Sequence, residues 1–257
     1  MITVIIPNYN DNRISKAISS ILASDAEIEV IIVDGKSSNQ DLLDYYDSIE
    51  DARVVRLKYN DKGIFDAINH GVENSSGSII YLQGSDDFIS HPEIFQDVLK
   101  VIGSDERLHG YCMGCKFVDQ HGKVKRRWFP KAVTSRSIKA GILPPHFSLF
   151  LRRKIYDVVG PFEAEARDDL ALDSLWLVKM GVLFKDLNIY VDDKRWLNMG
   201  LGGLSTGSYR RIIDQNIKLY RMLHRASWRP AGWQLIPIVK VFSKVFQFIP
   251  EADDQMK

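Results

Sequence analysis

The N-terminal third of the chain alternates apolar β-branched runs with helical patterns, and this alternation constrains the fold more than any other feature. Near-continuous apolar runs occupy residues 2–7, 29–33 and 78–82. Such runs are typical of strands that are buried on both faces of a parallel sheet. A shorter run at 52–57 predicts a fourth strand. Because helical crossovers link parallel strands, the sequence predicts an α/β fold with a mainly parallel central sheet flanked by helices.

Apolar residues at helical spacing predict the helices between these strands, and the pattern changes after residue 102. Residues 111–118 and 123–128 alternate as two strands joined by a turn, which predicts antiparallel additions to the parallel sheet. The stretch 148–159 ends at Gly160-Pro161, a pair that stops regular structure. The predicted helices are 11–23, 40–49, 62–73, 94–102, 172–180, 208–226 and 235–249.

Composition excludes several classes of protein. With 45% hydrophobic residues among 257, the chain is too apolar to be mainly disordered, and its net charge of +1 gives no global field that favours nucleic acid. Two cysteines exclude a disulfide scaffold and favour a reducing compartment. The sequence has no run of about 20 apolar residues, so we expect no membrane-spanning helix. The first residues lack the basic and apolar regions of a signal peptide, so we expect a cytoplasmic location.

Charge is distributed unevenly along the chain. Residues 1–207 carry a net charge of −4, whereas residues 208–249 carry eight Lys and Arg against one acidic residue, a net charge of +7. This change predicts a boundary near Gly207. We therefore expect one main domain, followed by a basic helical extension over 208–257.

Polar and acidic residues follow three of the predicted strands. Asn8 follows the first strand, Asp34 the second, and Asp86 and Asp87 the fourth. The carboxyl ends of parallel strands meet at one edge of an open α/β sheet, where ligands bind. Converging carboxylates repel one another unless a cation lies between them, and a divalent cation bound to a phosphate ester meets that need. The alternative is that each Asp is a solvated loop residue or a helix cap.

Five segments occur in a fixed order along the chain. They are VIIPNYN at 4–10, VIIVDGKSS at 30–38, DKGIFDAINHG at 61–71, GSIIYLQGSDD at 77–87, and PHFSLFLRR at 145–153 with GPF at 160–162. In this order they resemble the pattern of family 2 glycosyltransferases, which use nucleotide sugars and have the GT-A fold. The resemblance covers about residues 1–205, and it is specific because all five segments are present.

The resemblance implies a nucleotide-binding half over 1–100 and an acceptor-binding half over 101–207. Many relatives carry an acid where this chain has Gly84, so metal binding rests on the two acids that follow it. The implied site residues are Pro7, Tyr9 and Asp34 for the base and ribose, Lys62 for the diphosphate at a helix start, and Asp86 and Asp87 for Mg²⁺ or Mn²⁺, with Asp87 the first choice.

The resemblance also implies an inverting displacement, in which a carboxylate accepts the proton of the acceptor hydroxyl. In the family this base lies at the start of a helix, just before an apolar anchor that matches residues 175–177 here. The spacing in this chain is one residue shorter than the family pattern. Asp173 is the first candidate, Asp169 the second and Asp168 the third. The alternative role for Asp173 is a helix cap.

Two further patterns are less specific. His146 matches a histidine of the family that touches the diphosphate or the acceptor, and a packed loop histidine is the alternative. His109, Cys112, Cys115 and His121 have the spacing of a zinc set. On one strand, however, the two cysteines would point to opposite faces, which favours buried thiols.

Together these observations predict an enzyme that moves a hexose-type sugar from a nucleoside diphosphate sugar, a UDP-sugar, to a glycan or lipid-linked glycan acceptor of a bacterial surface polysaccharide. A sugar nucleotidyltransferase and a catalytically weak nucleotide-sugar-binding module are the alternatives. The first of these needs a glycine-rich loop after the first strand, and residues 8–12 contain no glycine.

The C-terminal segment 228–249 combines a short amphipathic helix with basic and aromatic flanks. This pattern predicts attachment to an anionic membrane surface, on the inner face of the cell membrane. The alternatives are packing on the main domain or on a second subunit of a homo-oligomer. The polar residues that define one stripe of this helix are Lys240, Ser243, Lys244 and Gln247.

Overall fold

The computed structural model describes residues 1–119, 121–129, 131–163, 171–201 and 209–245. Within these ranges, ten strands form one sheet, and helices cover both of its faces. The strands are β1 (Ile2–Asn8), β2 (Ile28–Asp34), β3 (Val54–Lys58), β4 (Ile79–Leu82), β5 (Phe88–Ile89), β6 (Gly110–Val118), β7 (Val124–Trp128), β8 (Val133–Thr134), β9 (Leu149–Arg152) and β10 (Asn188–Gly200). The helices are α1 (Ile14–Leu22), α2 (Gln40–Asp47), α3 (Ile64–Glu73), α4 (Ile94–Ser104), α5 (Ser135–Lys139), α6 (Arg153–Val159), α7 (Leu172–Leu183), α8 (Tyr209–Arg225) and α9 (Ile236–Val245).

The N-terminal part of the sheet is parallel, as the sequence predicts. Its strand order is β3-β2-β1-β4, and every neighbouring pair in it runs parallel. The chain passes from β1 outward to β3 and then returns to place β4 on the other side of β1. This reversal creates a switch point beyond the carboxyl ends of β1 and β4, which is where open α/β sheets bind ligands.

Antiparallel strands extend this sheet, which confirms the predicted antiparallel additions. Strand β9 lies between β4 and β6 and is antiparallel to both, and β7 is antiparallel to β6. The stretch 148–159 divides at Arg152 and Arg153 into β9 and α6. The guanidinium of Arg152 donates to the carbonyls of Ile102 and Leu108, so this junction is tied to the chain before β6.

Strand β10 is absent from the predicted elements. It is 13 residues long and pairs in parallel with β6 through nine residue pairs, with a bulge between Asp192 and Trp196. The polar residues 192–195 break the alternation that marks a strand, so periodicity could not reveal it. Its Trp196 ring lies where a side chain on Gly114 of β6 would be, since a Cβ there would be 2.6 Å from the ring.

The core occupies both faces of the sheet. Cys115 belongs to the cluster on one face and Cys112 to the cluster on the other. Both thiols are fully buried, and burial raises the pKa of Cys112 to about 12. This arrangement fits the sequence interpretation that rejected a zinc set. In the described ranges, no three His, Cys, Asp or Glu side chains are grouped so that they could hold a metal ion by themselves.

The C-terminal helices pack on α7. A third core cluster joins Ala171 and Val178 to Leu219 and Leu223 of α8 and to Ile236 of α9. This packing places the segment 219–236 against the main body. Packing on the main domain was one of the two alternatives to membrane attachment that the sequence left open. None of the helices in the described ranges is long and apolar enough to span a membrane.

Candidate functional site

The loops after β1 and β2 interlock at the carboxyl edge of the sheet. Asn10 and Lys36 both adopt left-handed backbone conformations, with φ of 54° and 61°. The Asn10 side-chain oxygen accepts hydrogen bonds from the amides of Ser38 and Asn39, at 2.8 and 3.0 Å. Asparagine tolerates this conformation better than most residues because its short amide bonds locally. The two loops therefore form one rigid rim.

Asp34 lies at the end of β2, fully buried beneath that rim. Its Oδ2 accepts from Arg56 of β3 at 2.6 Å, and its Oδ1 accepts from the amide of Ser37 at 2.9 Å. Burial acts to raise the pKa of Asp34, but these bonds outweigh it and hold that pKa below its usual range. Arg56 also lies over the ring of Tyr46, 4.3 Å from its centre. The predicted ligand of the nucleotide is thus one half of an ion pair.

A groove of about 320 Å³ lies beside this ion pair, along the outer strand β3 and helix α2. It shares Arg56 with the ion pair but does not reach the acid pair at the end of β4. We therefore do not place the donor in it. Its lining residues are Ile32, Tyr46, Asp47, Ile49, Val54, Arg56 and Lys58.

The acid pair Asp86 and Asp87 follows β4 at the switch point. Asp87 is 4% exposed, and its Oδ1 accepts from the amide of Gly200 at 3.1 Å. Burial and the neighbouring Asp86 carboxylate raise the pKa of Asp87 to about 8, and burial also raises that of Asp86. Two carboxylates held this closely favour a bound cation, which would offset their repulsion.

Two glycines leave room for the acid pair. A Cβ on Gly84 would lie 2.8 Å from Asp87 Oδ2, and one on Gly200 would lie 2.8 Å from Asp86 Oδ2. Any side chain at either position would displace a carboxylate. The glycine that replaces the acid of many relatives is therefore matched to the way in which Asp87 is held here.

Arg13 and Asp11 complete this edge of the site, and the sequence interpretation did not include them. The Arg13 guanidinium makes a bidentate pair with Asp11, at 2.9 and 2.6 Å, and lies 3.4 Å from Asp86 Oδ2. Ser85 donates to Asp11 at 3.2 Å, which links the loop after β1 to the loop after β4. The sequence could place Asp11 and Arg13 after β1, at the same edge as Asp86, but it could not reveal which groups they contact.

The acid pair fits a divalent cation only together with a substrate. Two carboxylates are the protein ligands that Mg²⁺ takes at sites where phosphate oxygens complete its shell. Hard carboxylate oxygens suit Mg²⁺ and Mn²⁺ equally. Because the described residues offer no third acid, histidine or cysteine close enough, the donor's phosphates would have to supply further ligands.

Comparison with known proteins settles the family. The sequence profile described as Glycosyl transferase family 2 matches residues 3–159, which is more than half of the chain. The chain belongs to this family. Its sheet has the GT-A arrangement that the resemblance implies.

The relatives of this family member are distant. A PGL/p-HBAD biosynthesis glycosyltransferase of Mycobacterium bovis is 24% identical over 175 residues, 65% of each chain, so the match spans just under two thirds of that relative. S. aureus TarS 1-349 in complex with UDP-GlcNAc superposes with a TM-score of 0.65 at 20% identity, over 93% of this chain and 71% of that one. The mannosyltransferase PcManGT from Pyrobaculum calidifontis, in complex with GDP-Man and Mn²⁺, has a TM-score of 0.65 at 15% identity, over 94% and 69%.

The remaining predicted donor residues lie along the same edge of this family 2 fold. Pro7 is buried in β1, and Tyr9 is 61% exposed beside it. Lys62 precedes α3, but its own amide donates to Asp66 at 2.9 Å, and the amide of Gly63 donates to Asp61 at 3.0 Å. Two amides at this helix start are therefore already bonded to carboxylates.

Asp173 lies in the first turn of α7 rather than at its cap, since the helix begins at Leu172 with Ala171 as the capping residue. Its Oδ1 accepts from both the amide and the hydroxyl of Ser174, the latter at 2.7 Å. Ser174 in turn accepts a bond from the ammonium of Lys240 in α9. The structure thus connects the first base candidate to the C-terminal extension. Asp169 and Asp168 lie outside the described residues.

His146 is packed in an aromatic cluster beside α7. It is 4% exposed, and its ring centre lies 5.0 Å from that of Trp176 and 5.5 Å from that of Phe162. Burial lowers the pKa of His146 to about 4, although the charge of Asp173 acts in the opposite direction. These contacts favour the packed histidine of the two alternatives that the sequence left open.

Proposed function

We propose that this glycosyltransferase is an inverting, metal-dependent enzyme that transfers a hexose-type sugar from a UDP-sugar to a glycan acceptor. The observation that carries the proposal is the acid pair Asp86 and Asp87 at the switch point of the parallel sheet. Solved neighbours with the same fold are complexes with UDP-GlcNAc, with UDP, and with GDP-Man and Mn²⁺. These complexes support a nucleoside diphosphate sugar as the donor here.

The rim around Asp34 would hold the nucleoside. Tyr9 offers an exposed aromatic face, and Asp34 with Arg56 offers one acceptor group and one donor group that are fixed by each other. Pro7 and the interlocked loops keep these groups in place without the ligand. Lys62, in the loop before α3, would add a positive charge for the diphosphate.

Asp86 and Asp87 would hold Mg²⁺ or Mn²⁺ against the donor's diphosphate. The bound ion would neutralise the charge that develops on the leaving diphosphate. The amide of Gly200 fixes one carboxylate, and Arg13 lies beside the other. The guanidinium of Arg13 adds a fixed positive charge on the same side of the site.

Asp173 would act as the base, with Asp169 as the second candidate. Its carboxylate would accept the proton of the acceptor hydroxyl while that oxygen forms its bond to the anomeric carbon. The bond from the anomeric carbon to the phosphate oxygen breaks in the same step, and the nucleoside diphosphate leaves with the electron pair. One displacement of this kind inverts the anomeric centre.

The acceptor would be a glycan of a bacterial surface polysaccharide, in free or lipid-linked form. A mycobacterial relative is named for PGL/p-HBAD biosynthesis, which supports a role in a biosynthetic pathway of bacteria. A cytoplasmic enzyme at the inner face of the cell membrane would meet both a nucleotide sugar and a lipid-linked acceptor.

Release of nucleoside diphosphate tests this proposal. The full chain is incubated with UDP-, GDP-, dTDP- and CMP-sugars in Mn²⁺ or in EDTA, and the released nucleotide is identified. We expect UDP, in Mn²⁺ only. Release of pyrophosphate from a sugar phosphate and UTP would instead identify a nucleotidyltransferase. Binding without any release would identify a nucleotide-sugar-binding module, and either result would overturn the proposal.

A further inference from the structure

The two C-terminal helices expose apolar side chains that the body of the protein does not cover. On α8, the exposed apolar residues are Ile213, Ile217 and Tyr220, at positions that form one helical stripe. A second set begins at Leu235, just before α9, and continues in the helix through Ile238 to Phe242, which is 62% exposed. A soluble surface normally carries such residues singly rather than in aligned sets.

The two sets belong to one surface, which we call the C-terminal face. Helices α8 and α9 pack against each other. The ring of Tyr220, at the end of the α8 stripe, lies 4.9 Å from the ring of Trp233, two residues before Leu235. The face is defined by Ile213, Ile217, Tyr220, Leu235, Ile238 and Phe242.

Contacts with the body fix which side of α9 is outward. Ile236 is buried against α7, and Gly141 allows close approach, since a Cβ there would lie 2.8 Å from the carbonyl oxygen of Ile236. Lys240 turns toward the body and donates to Ser174. The polar side chain that amphipathic reasoning would place in solvent therefore points inward, and Ile238 and Phe242 point outward.

The segment that carries the C-terminal face is rich in basic residues. Segment 208–249 carries eight Lys and Arg and one acidic residue. Arg221, Arg225 and Arg229 are exposed. Arg229 also lies over the ring of Trp233, 5.9 Å from its centre. The face therefore combines exposed apolar side chains with a strong local positive charge, in a protein whose overall charge is nearly neutral.

We propose that the C-terminal face docks on the surface of a bilayer that contains anionic lipid. Apolar side chains that enter the boundary between headgroups and acyl chains, flanked by Lys and Arg, bind such surfaces without crossing them. A second copy of this chain is a poorer occupant, because two faces of the same strong positive charge would repel each other. The inference stands independently of the proposed reaction, since neither the acid pair nor Asp173 takes part.

Vesicle co-sedimentation tests the proposal with the full chain. The vesicles are phosphatidylcholine alone or an equimolar mixture with phosphatidylglycerol, each at low and high salt. We expect binding to the mixed vesicles that weakens with salt. Ile238→Ser with Phe242→Ser should weaken it by about 10-fold or more, because both side chains are exposed in the free protein and would be buried in the boundary. Arg221→Gln with Arg225→Gln should weaken it by about 30-fold, at about 1 kcal/mol for each charge.

Matched controls keep the test decisive. Val158→Ser removes a similarly exposed apolar side chain from α6, and Lys100→Gln removes an exposed charge from α4. Both should bind vesicles as the unaltered protein does, and all variants should unfold at the same temperature. Equal binding by the Ile238 and Phe242 variant, or no binding to anionic vesicles by the unaltered chain, overturns the proposal. A halving of the molar mass in that same variant, by light scattering, would assign the face to self-association instead and also overturn it.

Discussion

Residues 1–100, which we propose as the donor part, and the residues that follow them are held together in different ways. In the donor part, polar contacts join loops from different strands, as between Asn10 and Ser38 or between Ser85 and Asp11. In the later part, the base candidate Asp173 bonds to its own neighbour, Ser174. The proposed donor site is therefore organised by the sheet itself, whereas the proposed acceptor side depends on helix α7 and on what packs against it.

Loss of the acid pair should have the largest effect, because it breaks the donor part at its centre. Asp87→Asn keeps the hydrogen bond acceptor for Gly200 but loses the charge that would hold the ion. We expect turnover to fall by about 10⁴-fold, since a bound metal supplies several kcal/mol of stabilisation to the leaving group. Nucleotide release assays measure this loss. The exposed Asp157→Asn is the control, and full activity of Asp87→Asn in EDTA would show that the site works without metal.

Asp173→Asn tests the later part at its reactive group. The amide keeps the shape of the side chain but cannot accept a proton, so turnover should fall by about 10²–10⁴-fold. Affinity for the donor should stay the same, because the base faces the acceptor. Steady-state kinetics with both substrates separate the two quantities. If Asp169→Asn is inactive and Asp173→Asn retains most of its activity, the base is Asp169.

Leu219→Ala asks whether the C-terminal helices belong to the same folding unit as α7. Leu219 is fully buried against Val178 and Ile236, so its truncation should lower the free energy of unfolding by about 3 kcal/mol. Ile217→Ala, on the exposed side of the same helix, should change it by less than about 0.5 kcal/mol. Urea unfolding followed by tryptophan fluorescence measures both. Equal stability of the two variants would mean that the extension is not part of the folded core.

The smallest effect concerns His146, whose 3₁₀ turn contacts β4 of the donor part and α7 of the later part. Its pKa is about 4 in the folded protein and about 6.5 in the unfolded chain, so the unfolded state binds more protons as the pH falls below 6.5. As the pH falls from about 7 to about 5, this difference should lower the free energy of unfolding by about 2 kcal/mol.

His146→Phe keeps an aromatic ring in the cluster and cannot titrate. Thermal unfolding of both proteins over this pH range isolates the contribution of His146, because all other groups titrate in both. The variant should lose less stability toward acid than the unaltered protein. Parallel pH profiles would mean that the histidine is not buried as described.

The strands and helices of residues 1–100 could be predicted from the sequence more completely than those that follow. The parallel strands and their helices follow from β-branched runs and apolar spacing, and the elements predicted for residues 1–100 are present with ends shifted by at most three residues. Strand β10 was not predicted, because the polar residues 192–195 interrupt its alternating pattern. The boundary between β9 and α6 escaped because Arg152 and Arg153 follow each other without a turn residue.

For the candidate site, the sequence predicted the positions of the acids but not their contacts. Spacing to a strand end was enough to place Asp34, Asp86 and Asp87 at one edge of the sheet. It could not predict that Arg56 pairs with Asp34 or that Arg13 lies beside Asp86, because those contacts join residues distant in sequence. Nor could it predict that Gly200, from the unrecognised strand β10, fixes Asp87.

The central claim is that the acid pair at the switch point binds a metal-bound nucleoside diphosphate, and calorimetric titration of UDP tests it most directly. The unaltered protein and Asp87→Asn are each titrated with UDP in Mn²⁺ and in EDTA. We expect Mn²⁺ to tighten UDP binding by about 10-fold or more in the unaltered protein, at 1.4 kcal/mol for each factor of ten. The UDP affinity of Asp87→Asn should be the same in Mn²⁺ and in EDTA. Equal UDP affinity in Mn²⁺ and in EDTA for the unaltered protein would contradict it.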